Sequence, residues 1–447
     1  MQKYSQIVNY LLNKISTNEF DFQQRLPTIR ELSEKFNCSK ITVVRAYTEL
    51  QNQHIVYSIP QSGYFLINTN KNIFLDPNII DFASASPDES ILPYEDFSHC
   101  LNQAMTKYKQ ILFNYSNPQG LPSLIAALIK NLQDYQIFSN PANLFVTAGS
   151  QQAINILCNM QFPNNKNIIL VEEPTYTGIL NSLKLNNISA LGIKRDFNGI
   201  DLYELEKHFA TGNIKFFYTT PRFHNPLGTS LTNDQTKHIA RLAAKYDVYI
   251  IEDDYLADLE IKPTLYPIYY NDVDSKVIYI KSFSKVLLPG LRIAIVVLPA
   301  ILINNFEKHK RWTDLGTSIL SQGALEIYIK CGMFKKHKKK INKVYTQKMD
   351  LAKSSITMIA LPHIQWHVPD IGFFTCIKTP YTIDMDTFIK NVGKKNVLIN
   401  NIKNNYLDIN PNRYQDGSIL KLSLSKANPD KINYGISVIL DELQKIQ

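Results

Sequence analysis

Nothing in this chain has the length of a membrane span. The longest uncharged apolar run, Ile293 to Ile303, is 11 residues and is broken by Pro299, well short of the roughly 18 that a bilayer-crossing helix needs. Cysteine is scarce as well. The five, at 38, 100, 158, 331 and 376, are scattered, with no Cys-x-x-Cys pair and no His at ligand spacing. That excludes a disulfide framework and a zinc ribbon and leaves ordinary reduced thiols. The start, MQKYSQIVNYLLNKI, interleaves polar residues and has no small-residue cleavage site. No signal peptide and a cytoplasmic protein are therefore expected.

Charge is thin where a DNA-binding segment would be sought. The chain carries +9 overall, yet its first 68 residues hold seven Lys/Arg against five Asp/Glu, and charge alone does not mark them as a DNA head. The densest basic run, KKHKKK at 335–340, lies far from that end in a stretch expected to be helical. It reads as a solvated or subunit-facing surface rather than a second nucleic-acid site. What is plentiful is length and apolar content: 447 residues at 45% hydrophobic are enough for two or three cores.

The first 68 residues show three helical signals. Ile7, Val8, Leu11, Leu12 and Ile15 share one face of a first helix. Thr28-Ile29-Arg30-Glu31 has the form of a capping box, with Pro27 barring helix upstream and Ile29, Leu32 and Phe36 as the buried stripe. Ser39 caps a third helix, whose Val43, Ala46, Tyr47 and Leu50 should face inward. Lys40, Ile41, Val44 and Arg45 are left on the outer face near its start, where a recognition helix reaches the major groove. HIVYSIPQSGYFLI then offers two short strands about Pro60–Gly63.

YSQI, RLPTIREL, FNCSKITVVRAY and SGYF resemble the GntR-type winged helix in order and spacing across residues 4–65. Asn37 stands where that family often has Gly, and Lys40 where it often has Arg. The resemblance implies double-stranded operator DNA as partner, with Arg30, Ser39, Lys40, Thr42 and Arg45 as contacts and Gly63 and Tyr64 in the wing.

NTNKNIFLDPN, about 68–78, is polar and aperiodic and marks a boundary. The expected division is a head at 1–68, a linker at 69–79 and a large domain at 80–447. Within the last, 116–300 forms the larger part, and 80–115 with 301–447 the smaller. Apolar runs at 143–148, 167–173, 214–220, 248–254 and 276–283 alternate with helical stretches. They predict an α/β fold, a mostly parallel sheet with helices on both faces, whose ligands bind at the strands' carboxyl ends.

Polar residues gather at those ends. TAGSQQ offers the amides of Gly149, Ser150 and Gln151 as an anion cup at a helix start. Tyr176 follows a strand and can lie flat on a heteroaromatic ring. Asn225, before Pro226, has an amide free for a phenolic oxygen. Asp253 and Asp254 end a buried strand, where an unpaired carboxylate is expensive, so a cation must be near. In KSFSKVLLPGLR a desolvated lysine can form a Schiff base, while Ser282, Ser284 and Arg292 can hold a phosphate. Each has an ordinary packing explanation singly. Together they specify pyridoxal 5'-phosphate.

The set resembles the fold-type I aminotransferases and, joined to a GntR-type head, the MocR subfamily of transcriptional regulators, across essentially the whole chain. That resemblance implies Lys285 as the Schiff-base lysine, with Lys281 in a flanking role. It implies Asp253 as the pyridinium partner and Tyr255 near the ring oxygen. Tyr115 would reach the phosphate of the other subunit in a head-to-tail homodimer. The small part departs from the family: Lys421 replaces the usual arginine for a carboxylate, Arg413 lies eight residues earlier, and Gly178 leaves no second arginine beyond Tyr176. The expected function is a regulator sensing pyridoxal 5'-phosphate, or a small amine or amino-acid effector, through Lys285. A working aminotransferase with an accessory DNA-binding head is the alternative.

Overall fold

The computed structural model describes residues 3–16, 19, 25–52, 55–59, 62–66, 79–115, 117–259, 265–358, 363–407 and 417–446. The chain divides into two compact units, Met1–Asn78 and Ile79–Gln447. The expected linker lies outside the described residues save for Ile79.

In the first unit, α1 (Lys3–Ser16), α2 (Ile29–Lys35) and α3 (Lys40–Asn52) precede a hairpin of β1 (Val56–Ile59) and β2 (Gly63–Leu66). The capping box forms in both directions: Glu31 N–H donates to Thr28 Oγ1 at 3.2 Å, and Thr28 N–H to Glu31 Oε2 at 2.7 Å. Asn37 turns the chain from α2 toward α3 with φ of +44°, a left-handed conformation that Asn tolerates because its short side chain can hydrogen-bond locally. The inward face of α3 is as expected. Val43, Ala46, Tyr47 and Leu50 are fully buried against Ile7, Val8 and Leu11 of α1 and Leu32 of α2.

The second unit opens on β3 (Ile80–Asp81), and its main sheet draws on β4 (Leu144–Thr147), β5 (Ile168–Glu173), β6 (Ala190–Asp196), β7 (Gly199–Ile200), β8 (Ile214–Thr219), β9 (Tyr249–Asp253), β10 (Val277–Ser282) and β11 (Ala294–Val297). Their order is β4-β11-β10-β9-β8-β5-β6-β7. From β10 through β6 neighbours run parallel, whereas β11 is antiparallel to both β10 and β4, and β7 to β6. Helices cover both faces, so the central strands are apolar almost without interruption. A second, antiparallel sheet holds β12 (Gln365–His367), β13 (Phe374–Lys378) and, after β14 (Val397–Leu398), β15 (Ile419–Ser423). β14 pairs with β3 in parallel.

The cores divide the second unit differently from the expected boundaries. Phe97, Cys100, Ala104 and Tyr108, placed by sequence in the smaller part, pack with Leu325, Tyr328 and Tyr345 against Val146, Tyr279 and Phe283 of the main sheet's side. The smaller core gathers Ile80, Phe82, Met349, Ala352, Leu420, Leu422 and Ile436. The helix Met333–Met358 serves both, with Ile341 and Tyr345 in one core and Met349 and Ala352 in the other. An amphipathic pattern says that a helix has a buried face but not which sheet will cover it.

Lys281 illustrates what this packing does to a charged group. It sits on β10, fully buried, in an ion pair with the fully buried Asp258. Asp258 also accepts from the Tyr135 hydroxyl, and Lys338 donates to that same hydroxyl at 2.7 Å. Although burial alone would raise the Asp258 carboxyl, Lys281 and Lys338 hold it below the usual carboxylate range. Removing one member leaves the other charge buried. Lys281→Met should therefore cost about 3–5 kcal/mol in urea unfolding followed by near-UV circular dichroism. The double variant Lys281→Met with Asp258→Leu should lose less than the sum of the two single changes.

Candidate functional site

A cavity of about 770 Å³ opens at the carboxyl ends of the parallel strands. Eleven of the residues singled out in the sequence line it: Ser150, Gln151, Tyr176, Asn225, Asp253, Tyr255, Ser282, Ser284, Lys285, Arg292 and Lys421. Most come from the segment just beyond a strand, or from a strand's last residue, because there the backbone leaves the sheet and frees side chains to converge; Arg292 instead precedes β11, and Lys421 lies within β15 of the second sheet.

The two acids at the end of β9 part company. Asp254 is engaged by Arg222, paired with its carboxylate, and by the Tyr279 hydroxyl at 2.7 Å. Arg222 was not singled out in the sequence, yet it supplies the cation that two buried acids demand. Among the described residues Asp253 keeps one bond, from the Tyr218 hydroxyl to Oδ2 at 2.6 Å, and its buried Oδ1 has no hydrogen-bond partner. Burial pushes the Asp253 carboxyl up to about 6 against the lowering effect of Tyr218. Asn225 likewise has a buried amide oxygen without a hydrogen-bond partner among the described residues, and its bond to Pro226 is cis.

Lys285 lies three residues past the end of β10. Its amine donates to the Ala85 carbonyl at 2.8 Å. Burial lowers its pKa from the usual lysine value, with Asp253 opposing and Arg292 assisting. Lys281, four residues earlier, is held in the Asp258 pair and does not line the cavity.

An anion cradle occupies one wall. Gly149, at φ +89°, caps the helix Ser150–Asn159, and a Cβ there would collide with the Arg292 guanidinium. Glycine thus lets Arg292 approach a helix start already favourable to negative charge. Arg292 donates to the Ala148 carbonyl at 3.2 Å, and the Ser282 hydroxyl accepts from Ser284 N–H at 3.2 Å. Tyr176 leads into the helix Thr177–Leu185, and Gln151 holds that helix through the Gly178 carbonyl and the Ser182 hydroxyl, at 2.9 and 2.8 Å.

Other expected residues are placed differently. The Tyr255 hydroxyl is committed to the Phe223 carbonyl at 2.6 Å. Tyr115 is 88% exposed and is not part of this cavity. Arg413 lies outside the described residues. Lys421, on β15, has its amine 4.3 Å from the centre of the Phe374 ring, and burial lowers it to about 8, Lys285 adding to the effect and Cys376 opposing it. No local pattern marked Ala83–Ser86 or Asn400, Asn401, Ile402, Asn404 and Asn405, which also line the cavity. Only folding brings residues some 200 to 300 positions apart to one wall.

The residues present fit an aromatic aldehyde phosphate. A buried carboxylate oxygen and a buried amide oxygen lack partners, an amine is desolvated beside them, and arginine, serines and a helix start form a cradle.

On the head, Lys40, Ile41, Val44 and Arg45 are exposed, with Ile41 at 81%. Arg45 lies over the Tyr4 ring at 4.5 Å, and Arg30 pairs with Glu34 at 2.9 Å. Ser39 Oγ accepts from Thr42 N–H at 3.3 Å and so caps α3. Tyr64 stacks on Tyr47, ring centres 3.9 Å apart, which turns it toward the core of the head. A Cβ at Gly63 would lie 2.7 Å from Arg25 Nε, so Arg25, not singled out in the sequence, is the cation beside the wing.

The bacterial regulatory protein family gntR matches residues 3–66, and aminotransferase class I and II matches 75–439. The chain is 39% identical over 449 residues to an uncharacterized HTH-type transcriptional regulator of Bacillus subtilis, YcxD, covering 99% of this chain and all of that protein. It is 25% identical to the HTH-type transcriptional regulator NorG of Staphylococcus aureus, covering 84% of this chain and 91% of that one. Among solved structures it resembles Pyrococcus horikoshii kynurenine aminotransferase in complex with PMP (TM-score 0.75, 27% identity, 83% of this chain and 91% of that one). The chain therefore belongs to the class I and II aminotransferases, and with its GntR-family helix-turn-helix it has the MocR-like architecture of a transcriptional regulator.

Proposed function

We propose that this chain is a cytoplasmic, homodimeric transcription regulator that binds pyridoxal 5'-phosphate in the cavity and couples the state of Lys285 to operator binding by α3. The observation that carries the reading is a desolvated lysine amine in one cavity with the partnerless Asp253 Oδ1. When bound, the cofactor supplies an aldehyde that condenses with an amine and a pyridine ring that takes up electron density.

The chain's own residues would act as follows. Asp253 holds a proton at the ring nitrogen, and Lys285 presents its amine to the aldehyde. Asn225 binds the phenolic oxygen, and Tyr176 covers the ring. Arg292, Ser282, Ser284 and the amides of Gly149, Ser150 and Gln151 hold the phosphate. Tyr115, exposed and outside its own cavity, would serve a second copy. An amine effector would release Lys285, with Lys421 supplying a point charge rather than the two-pronged contact of an arginine.

A path toward the head is built into the chain. The Lys285 amine is bonded to Ala85, six residues after Ile79, where the second unit begins. The segment between is pinned: Asp81 Oδ1 accepts from Ala83 and Ser84 N–H at 2.9 and 2.8 Å, and the Ser84 carbonyl from Ser425 Oγ at 3.0 Å. Were Lys285 to hold the aldehyde, its bond to Ala85 would be exposed to change, in a segment six residues from the start of the second unit. A working transaminase is the second reading, favoured by the presence of both Lys285 and Asp253.

Addition of pyridoxal 5'-phosphate should produce the visible absorbance band of lysine-bound cofactor, and Lys285→Ala should lack it; an unchanged band in that variant refutes the assignment. The Asp253 pKa is raised, so its ionisation costs the free protein stability as pH rises from about 4 through about 6. Asp253→Asn should make the cofactor-free protein more stable at pH 7, by up to about 3 kcal/mol for a two-unit shift, and yet bind the cofactor at least tenfold more weakly. Unfolding curves and absorbance titrations check both. In DNA-binding assays, Lys40→Ala with Arg45→Ala should abolish preference for the chain's own upstream DNA, and the cofactor or an amine should change wild-type affinity. Keto-acid release with turnover would favour the enzyme instead.

A further inference from the structure

The basic run at 335–340 is not one surface. Within the helix Met333–Met358, His337 turns inward to the Val286 carbonyl at 2.6 Å and Lys338 to the Tyr135 hydroxyl at 2.7 Å. Lys335, Lys336, Lys339, Lys340 and Lys343 point to solvent. These positions recur on one side of a 3.6-residue helix, and none has an ion-pair or hydrogen-bond partner among the described residues. Of the acids on elements packed against the helix, Asp258 is engaged by Lys281, Glu326 by Lys107 and Lys330, and Glu442 by Lys445, while Asp430 and Asp441 lie exposed on the helix Pro429–Gln444.

We propose that this lysine face binds the phosphate backbone of double-stranded DNA, adding a second contact to that of the N-terminal unit. The proposal rests on the DNA-binding reading of the head. Of the net +9, the first 68 residues hold only +2, leaving +7 beyond them. Counterion release, the main source of sequence-independent affinity, grows with the number of phosphates that Lys and Arg neutralise, so cations outside the head would add to what its seven Lys/Arg supply. From 335 to 343 the stripe is about 12 Å long, and one DNA strand presents a phosphate every 3.4 Å or so of axis. About three phosphates lie within its length.

Other occupants fit less well. Stable anchoring on a membrane needs an exposed apolar face or an acyl chain besides basic charge, and Phe334, Ile341, Tyr345 and Met349 of this helix are buried. A second copy meeting this face across a twofold axis would set lysine against lysine.

The test changes all five lysines to Gln in the full chain, leaving His337 and Lys338 intact. Fluorescence anisotropy with a duplex from the chain's own upstream region and an unrelated duplex of equal length reads affinity against salt. Loss of two or three phosphate contacts lowers the log–log salt slope by about 2 to 3, so between about 50 and 200 mM salt the wild type should lose roughly 10- to 40-fold more affinity than the variant. The loss should be similar on both duplexes, and Lys→Arg at the five positions should retain the slope. An unchanged slope overturns the proposal, as does a change in molecular mass by light scattering, which would make the face an interface between copies. Should the Gln variant not fold, acetylation of wild-type lysines with and without DNA decides: protection of the five supports the proposal and equal labelling overturns it. Failure of the head reading looks different, since Lys40→Ala with Arg45→Ala would then leave the preference between the two duplexes unchanged.

Discussion

The second unit is organised around the cost of holding carboxylates at the end of β9, away from water. Three successive acids, Glu252, Asp253 and Asp254, are buried there, and each needs compensation. Asp254 has Arg222 and Tyr279, and Glu252 accepts the N–H groups of Ile268 and Tyr269, both at 2.9 Å. Asp253 has Tyr218 and an oxygen left over. A buried polar atom without a partner destabilises the protein that carries it, and its position beside Lys285 makes it the half of an interaction that a cationic ring nitrogen would complete.

The same physics separates two lysines four residues apart. Lys281 lies inside β10 and is neutralised by Asp258, so its amine is structural. Lys285 lies beyond the strand, bonded to a backbone carbonyl rather than to an acid. A carbonyl accepts a hydrogen bond without fixing the proton on the amine, so the amine can be given up to an electrophile. That carbonyl belongs to Ala85, six residues after the unit begins and just beyond Ile80 and Phe82 of the smaller core.

Much of this was legible in the residues. The capping box at Thr28, the inward face of α3, the five strands at 144–147, 168–173, 214–219, 249–253 and 277–282, and the convergence of Ser150, Tyr176, Asn225, Asp253 and Lys285 follow from local patterns. Hydrogen-bond chemistry at a helix start and strand-to-helix alternation are short-range properties. Less legible were Tyr64, which stacks on Tyr47, and the helices at 94–107 and 319–330, which join the larger core. Both depend on what lies opposite, and a side chain's neighbour across a fold has no fixed spacing in the chain.

The sequence by itself determined the two units, the order of their elements and which residue types stand at the strand ends. Only the tertiary structure decided which acid keeps a free oxygen, that Arg222 serves Asp254, that Ala83–Ser86 and the asparagines at 400, 401, 404 and 405 line the cavity, and which lysines of the run at 335–340 face water. The division has one cause. Propensity, capping and periodicity act over a few residues, whereas charge compensation and burial are settled by partners distant in the chain, as Lys285 and Ala85 are at 200 positions.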